Sequence, residues 1–201
     1  MLARRALIPL LFTLFYCTGG LAQHQELRSD TTDVAVTSVS AVDTLSLTQQ
    51  EWLVKWSGSL EYTLEALNLI GEHQLDFRPT PDQMSLREQF LHLATNVYFL
   101  TGRYVNAPDG FDLAATRAGL DTEADKAELA RILRTAFDFG AAGCRALSAD
   151  ALSAPAPDFF AGPRSKRAIL NLIQDHATHH RAQILVYLRL LGHTPPAYRG
   201  W

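Results

Sequence analysis

The sequence predicts an all-α fold, a four-helix bundle with up-down-down-up or similar topology that follows a disordered N-terminal leader. Four stretches of roughly twenty residues each carry apolar residues at helical spacing. Segments rich in Gly, Pro and Asn separate these stretches, and none of the connections carries a strand signal. The chain has 201 residues, 47% of them hydrophobic and 19% charged, which suits one domain with an ordinary buried core.

The N-terminal segment has the pattern of an export signal. Residues 1–5 include two arginines, residues 6 to about 16 are mostly apolar, and small residues precede a cleavage position at Gln23. The apolar run is short for a bilayer span, so a retained anchor is the less favoured alternative. We therefore predict a signal peptide over residues 1–22, a flexible leader over 23–47 and an exported domain over 48–201. That protein would be periplasmic or secreted, and its mature chain would have no stable membrane span.

Helix one and helix two each begin with a capping-box pattern. Thr48 and Glu51 mark the start of helix one, whose periodic apolar residues continue to about residue 70. Ser85 and Glu88 mark the start of helix two, which runs to about residue 105. Both helices are therefore predicted to begin at a hydroxyl side chain.

Helix three and helix four are bounded by residues that stop a helix. Helix three spans roughly residues 123–147, and two prolines within residues 153–158 prevent it from continuing. Helix four starts after Ser165 and runs to about residue 191. Gly192 is a suitable C-terminal cap, and Pro195 and Pro196 follow it.

Helix four carries His176 and His180, four residues apart. Side chains at this spacing lie about 40° apart around the helix axis and can reach one metal ion. Both fall on the stripe that a bundle buries, together with Ile169, Ile173, Ile184, Tyr187 and Leu191. Buried imidazoles are costly unless they are hydrogen-bonded or ligated. The spacing alone leaves two interpretations open, a metal site and a pair of hydrogen-bonded core histidines.

The neighbouring polar residues are candidates for the same site. Gln183 points close to the direction of His176 and could line one pocket with it, whereas His179 lies on the flank of the stripe, suited to a supporting or surface contact. Arg181 is expected at the helix surface or at an interface. His92 is the only histidine on another predicted helix, with polar Asn96 one turn later, and periodicity does not decide whether it faces the core.

Composition excludes some classes of site and partner. The two cysteines, Cys17 and Cys144, form no CxxC pattern, so any metal must be held by histidine and carboxylate. The formal net charge is −3, and there is no basic stripe of the kind expected on a nucleic-acid surface. We therefore predict no nucleic-acid partner.

The last helix has a recognisable sequence. The run Asp-His-Ala-Thr-His-His-Arg-Ala-Gln at 175–183, continuing to Gly192 and two prolines, closely resembles the last helix of the DinB-like (YfiT-like) family. The resemblance extends over roughly residues 48–196, with Ala182 where the family often has Gly. It implies a four-helix bundle that often forms a homodimer. It also implies a divalent metal held by one histidine of the second helix and two of the last, which correspond to His92, His176 and His180.

Three neutral imidazoles would leave a divalent ion, zinc or nickel, with an open position for water or substrate. Together with the export signal, such a site leads to the hypothesis of an exported metal-dependent hydrolase or transferase that acts on a small substrate. Thiol-dependent members of the family use cytosolic small thiols, which export disfavours. Two alternatives stay open: a non-catalytic metal-binding or stress-response bundle, and a structural dimer whose core histidines carry no metal.

Overall fold

The computed structural model describes residues 45–199, which form six helices and one short pair of strands. The helices are α1 (Leu47–Leu69), α2 (Leu86–Leu100), α3 (Leu113–Ala118), α4 (Lys126–Arg145), α5 (Ala149–Ser153) and α6 (Lys166–Leu190). A 3-10 turn at Glu72–Gln74 follows α1, and a π-helical turn at Thr101–Val105 continues α2. Strand β1 (Pro155–Ala156) pairs antiparallel with β2 (Arg164–Ser165).

The predicted export signal and nearly all of the predicted leader lie outside the described residues, and these assignments stay predictions. Within residues 45–199, no helix combines the length and the apolar character that a membrane crossing requires.

The four long helices, α1, α2, α4 and α6, form the predicted bundle, in which α1 and α2 each pack against both α4 and α6. Gln49, near the start of α1, donates to the carbonyl of Cys144 at the end of α4, so these two helices are antiparallel. The indole of Trp52 donates to the carbonyl of Leu170 near the start of α6, so α1 and α6 run parallel.

Helix α2 completes the topology. Its first turn contacts the C-terminal half of α6, because the amide of Gln89 donates to the side chain of Gln183. One turn later His92 lies beside His176, nearer the start of α6, so the two helices are antiparallel. With α1 up, α2 and α4 therefore run down and α6 runs up, which confirms the predicted up-down-down-up order.

Local capping explains most of the helix boundaries. The Ser85–Glu88 capping box is present, Ser165 caps α6, and Gly192 follows α6 with a φ of +83°. The predicted cap at Thr48 is wrong, because Ser46 accepts from the backbone N–H of Gln49 and the Gln49 side chain accepts from the backbone of Ser46. The same Gln49 side chain donates to the end of α4, which selects this earlier start.

The second half of the bundle differs in detail from the sequence prediction. Helix two ends at Val105 as predicted, but its last turn, Thr101–Val105, is π-helical. Helix α4 begins at Lys126, where Asp125 caps it, and not at about residue 123. Helices α3 and α5 and the two-residue strands were not predicted, because such short segments carry too little periodic signal. At the π-helical turn, a Cβ on Gly143 would lie 2.5 Å from a methyl carbon of Thr101, so glycine permits this close approach.

The core lies between the four long helices and is rich in aromatic rings. Trp56 stacks between Trp52 and Phe137, with its ring centroid 4.9 Å and 4.1 Å from theirs. Cys144 is fully buried nearby, and burial raises the pKa of its thiol to about 11. Such a thiol is protonated and unreactive at neutral pH.

Candidate metal centre

Helices α2 and α6 bring three histidines together, His92 from α2 and His176 and His180 from α6. Each offers one ring nitrogen, and these three nitrogens lie within 4.8 Å of one another. The Nε2 atoms of His92 and His176 are 3.2 Å apart. The sequence left the direction of His92 open, and in the structure its ring faces α6.

The cluster is buried on one side and accessible on the other. His180 is 8% exposed, whereas His92 and His176 are partly exposed. The i, i+4 spacing on α6 places the rings of His176 and His180 4.4 Å apart, and the ring of His92 lies 4.5 Å from that of His180. A ligand can therefore approach the cluster from the side of His92 and His176.

All three imidazoles are neutral at physiological pH. Burial, followed by the neighbouring His180, His92 and His179, lowers the pKa of His176 from 6.5 to about 3. Burial and the charges of His92 and His179 lower the pKa of His180 to about 4. Burial and then Arg117 also lower the pKa of His92. Neutral imidazole is the form that binds a metal ion.

A chain of side-chain amides fixes the orientation of the buried ring. The Nδ1–H of His180 donates to Oε1 of Gln89 at 2.7 Å, which leaves the lone pair of Nε2 on the side of the cluster. The amide of Gln89 donates in turn to Gln183 at 2.6 Å, and the amide of Gln183 donates to Nε2 of His179 at 2.8 Å. Gln89 thus holds the tautomer of His180 that a ligand requires.

The remaining candidates lie around the three histidines. His179 is exposed, with its ring centroid 5.0 Å from that of His180, and Gln183 is partly buried between His179 and Gln89. Asn96, one turn after His92, has a buried Oδ1 with no hydrogen-bond partner. Sequence reasoning did not single out Gln89, although its position three residues before His92 places it on the same side of α2.

The donor set suits a divalent ion. Two nitrogens bound tetrahedrally at about 2.0–2.1 Å from zinc lie about 3.4 Å apart, close to the 3.2 Å between His92 and His176. Within residues 45–199, this is the one group of three or more His, Cys, Asp or Glu close enough to share an ion. Three imidazoles also leave a fourth tetrahedral position for another ligand.

The fold and the histidine cluster define a four-helix bundle with a candidate three-histidine metal centre. The sequence matches the DinB family over residues 44–200, and the chain belongs to that family. No protein of curated function matches the sequence.

Solved structures have the same fold at low sequence identity. A DinB-like protein from Bacillus cereus is 20% identical, with 75% of this chain and 97% of that one covered and a TM-score of 0.59. A DinB-like protein from Bacillus subtilis is 19% identical, with coverage of 74% and 96% and a TM-score of 0.57. YfiT from Bacillus subtilis is 18% identical, with coverage of 79% and 97% and a TM-score of 0.54. YfiT is described as a probable metal-dependent hydrolase with an unusual four-helix bundle topology.

Proposed function

We propose that His92, His176 and His180 bind one divalent metal ion, zinc or nickel, and that the protein is a metal-dependent hydrolase or transferase for a small substrate. The convergence of three neutral imidazoles at one point is the observation that supports this proposal most directly. A bound ion would act as a Lewis acid and lower the pKa of a coordinated water.

Three of the polar residues around the cluster cannot transfer protons. Gln89, Gln183 and Asn96 carry amides, which do not titrate. Gln89 holds the ring of His180, and the partly exposed His92 and His176 leave access for a small substrate. The description of YfiT as a probable metal-dependent hydrolase supports only this general class, because the two chains are 18% identical.

The cellular setting is part of the proposal. The pattern of residues 1–22 supports export to the periplasm or beyond, and export disfavours chemistry that depends on a cytosolic thiol. Expression of the full chain in a bacterial host, followed by N-terminal sequencing, tests this point. We expect a mature chain that begins at Gln23; an uncleaved chain in the cytoplasm would contradict export.

Metal content tests the site itself. Purified wild-type protein should contain about one divalent ion per chain, and His180→Ala should lose it, because two imidazoles bind far more weakly than three. His179→Ala is the matched control, since the neighbouring ring lies outside the cluster, and it should retain the ion. Elemental analysis of each variant measures its metal content. Equal metal content in wild type and His180→Ala would refute the site.

Catalysis is tested separately from binding. We expect the metal-loaded protein to hydrolyse members of a panel of small esters, amides and lactones, with activity lost on chelation and absent in His176→Ala. A bound ion without turnover and without an exchangeable fourth ligand would instead favour the non-catalytic metal-binding bundle. An absent ion, together with a homodimer in solution, would favour the structural alternative.

A further inference from the structure

Arg181 follows His180 directly but lies in a different environment. Its side chain is 7% exposed, so of the two expected positions, the helix surface and an interface, the helix surface is wrong. The guanidinium faces α1, where it donates to the hydroxyl and the carbonyl of Ser59. It also donates to the hydroxyl of Thr178 and lies over the ring of Tyr62, with the guanidinium carbon 5.2 Å from the ring centroid.

All of these partners are uncharged. Within residues 45–199, no carboxylate forms an ion pair with Arg181. Burial lowers the pKa of Arg181, but arginine stays protonated in proteins. A buried charge usually has an oppositely charged partner, because hydroxyl groups compensate only part of its lost hydration.

A cavity of about 100 Å³ lies against this guanidinium. Its lining includes two further cationic residues, Lys55 and Arg199, together with the hydroxyl-bearing Ser59 and Thr178, and no carboxylate. Arg199 pairs with Glu61 and Glu65. A single water requires only about 10–15 Å³ of such space, so the cavity has room for a small anion.

We propose that this cavity is a binding site for one small oxyanion, a carboxylate or phosphate group, held by the guanidinium of Arg181. Arginine presents donors in a planar fork that matches both groups, and the hydroxyls of Ser59 and Thr178 can donate further hydrogen bonds. The site lies between α1 and α6, whereas the three histidines lie between α2 and α6. It is therefore spatially separate from the proposed metal centre.

Titration of metal-free protein with inorganic phosphate and, separately, acetate tests this site by calorimetry at constant ionic strength. Removal of metal prevents the anions from binding at the histidines. We expect one saturable site per chain for at least one of the two anions. Arg181→Gln should weaken binding about tenfold or more, because it removes a charged hydrogen-bond donor. Arg181→Lys should lose less, since it keeps the charge but not the fork.

Two control variants locate the binding site. Arg134→Gln removes an exposed cation of α4 that pairs with no carboxylate among residues 45–199, and it should leave binding unchanged. His92→Ala should also leave anion binding unchanged, because His92 lies on α2, which packs on the other side of α6 from the cavity. If Arg181→Gln does not fold, Lys55→Gln should still weaken binding. Absence of saturable binding to wild type, or binding that is insensitive to Arg181→Gln and Lys55→Gln, would overturn the proposal.

Discussion

Helix α6 contributes basic side chains to two sites, and burial has opposite consequences for the charge of these side chains. Toward α2, burial lowers the pKa values of His176 and His180 to about 3 and about 4, so these side chains become neutral. Toward α1, Arg181 cannot lose its proton and keeps its charge among hydroxyl groups and a tyrosine ring. The neutral histidines can therefore bind a cation, and the charged arginine can bind an anion.

This difference follows from intrinsic proton affinity more than from depth. His180 and Arg181 are consecutive and almost equally buried, at 8% and 7% exposure. Because imidazole ordinarily titrates near neutrality, modest burial suffices to neutralise it. Guanidinium titrates far above neutrality, and the same burial leaves it charged. Adjacent positions on one helix can thus provide opposite kinds of binding site.

Chelation should have the largest effect, and only on the histidine side. If free metal exceeds its dissociation constant about a thousandfold, binding stabilises the fold by about 4 kcal/mol. For a domain of this size, chelation should then lower Tm by about 10 °C. Differential scanning calorimetry with and without chelator measures this. The Tm of His176→Ala should not respond to chelator. If chelator also leaves the wild-type Tm unchanged, the three histidines bind no ion.

Acid should have the next largest effect, in metal-free protein. Below about pH 6.5 the unfolded chain protonates His176 and His180, whereas the folded protein resists until their pKa values of about 3 and about 4. The unfolded state therefore binds more protons in this window, and stability falls as the pH decreases from 6.5 toward 3. Thermal unfolding against pH should show this slope, and it should be shallower in His176→Ala. An equal slope in both proteins would contradict the neutral cluster.

Gln89→Leu should weaken metal binding by about 10- to 100-fold, the usual range for a residue that supports a metal-bound histidine. The substitution removes the acceptor that fixes the ring of His180. Competition with a metal-sensitive dye measures the affinity. Gln174→Leu is the matched control, because its buried amide donates to the carbonyl of Trp52 toward α1. Equal losses in the two variants would indicate a general packing effect.

The last effect, on the arginine side, concerns the stability of the fold and not its affinity for metal. Arg181→Met should destabilise the fold by about 1–3 kcal/mol, because the hydroxyls of Ser59 and Thr178 lose a charged partner. The loss in urea unfolding should be the same with and without metal, as for independent sites. A loss that depends on metal would show that the two sides of α6 are coupled.

The sequence was sufficient for the bundle and for the histidine pair. Periodic apolar residues, the Ser85 cap and Gly192 predicted the long helices, and the periodicity of the last helix placed His176 and His180 on its buried stripe. These features depend on contacts within one helix. The direction of His92 depends on how α2 rotates against α6, which no local pattern encodes.

Side chains that act across helices were harder to predict. Gln89 appeared as one polar residue among several on α2, and its role depends on meeting His180 and Gln183 from another helix. Arg181 was expected at the helix surface or at an interface, because charged residues are mostly exposed. Its burial depends on hydroxyl groups and a ring supplied largely by α1.

Cys144 has a practical consequence. It is the sole cysteine among residues 45–199, its side chain is inaccessible, and its thiol stays protonated at neutral pH. An alkylating reagent can therefore modify Cys144 only during the moments when α4 separates from its neighbours. The rate of labelling therefore measures that opening. Followed by mass spectrometry in dilute samples, it would report how often the bundle opens under native conditions, without denaturant or heat.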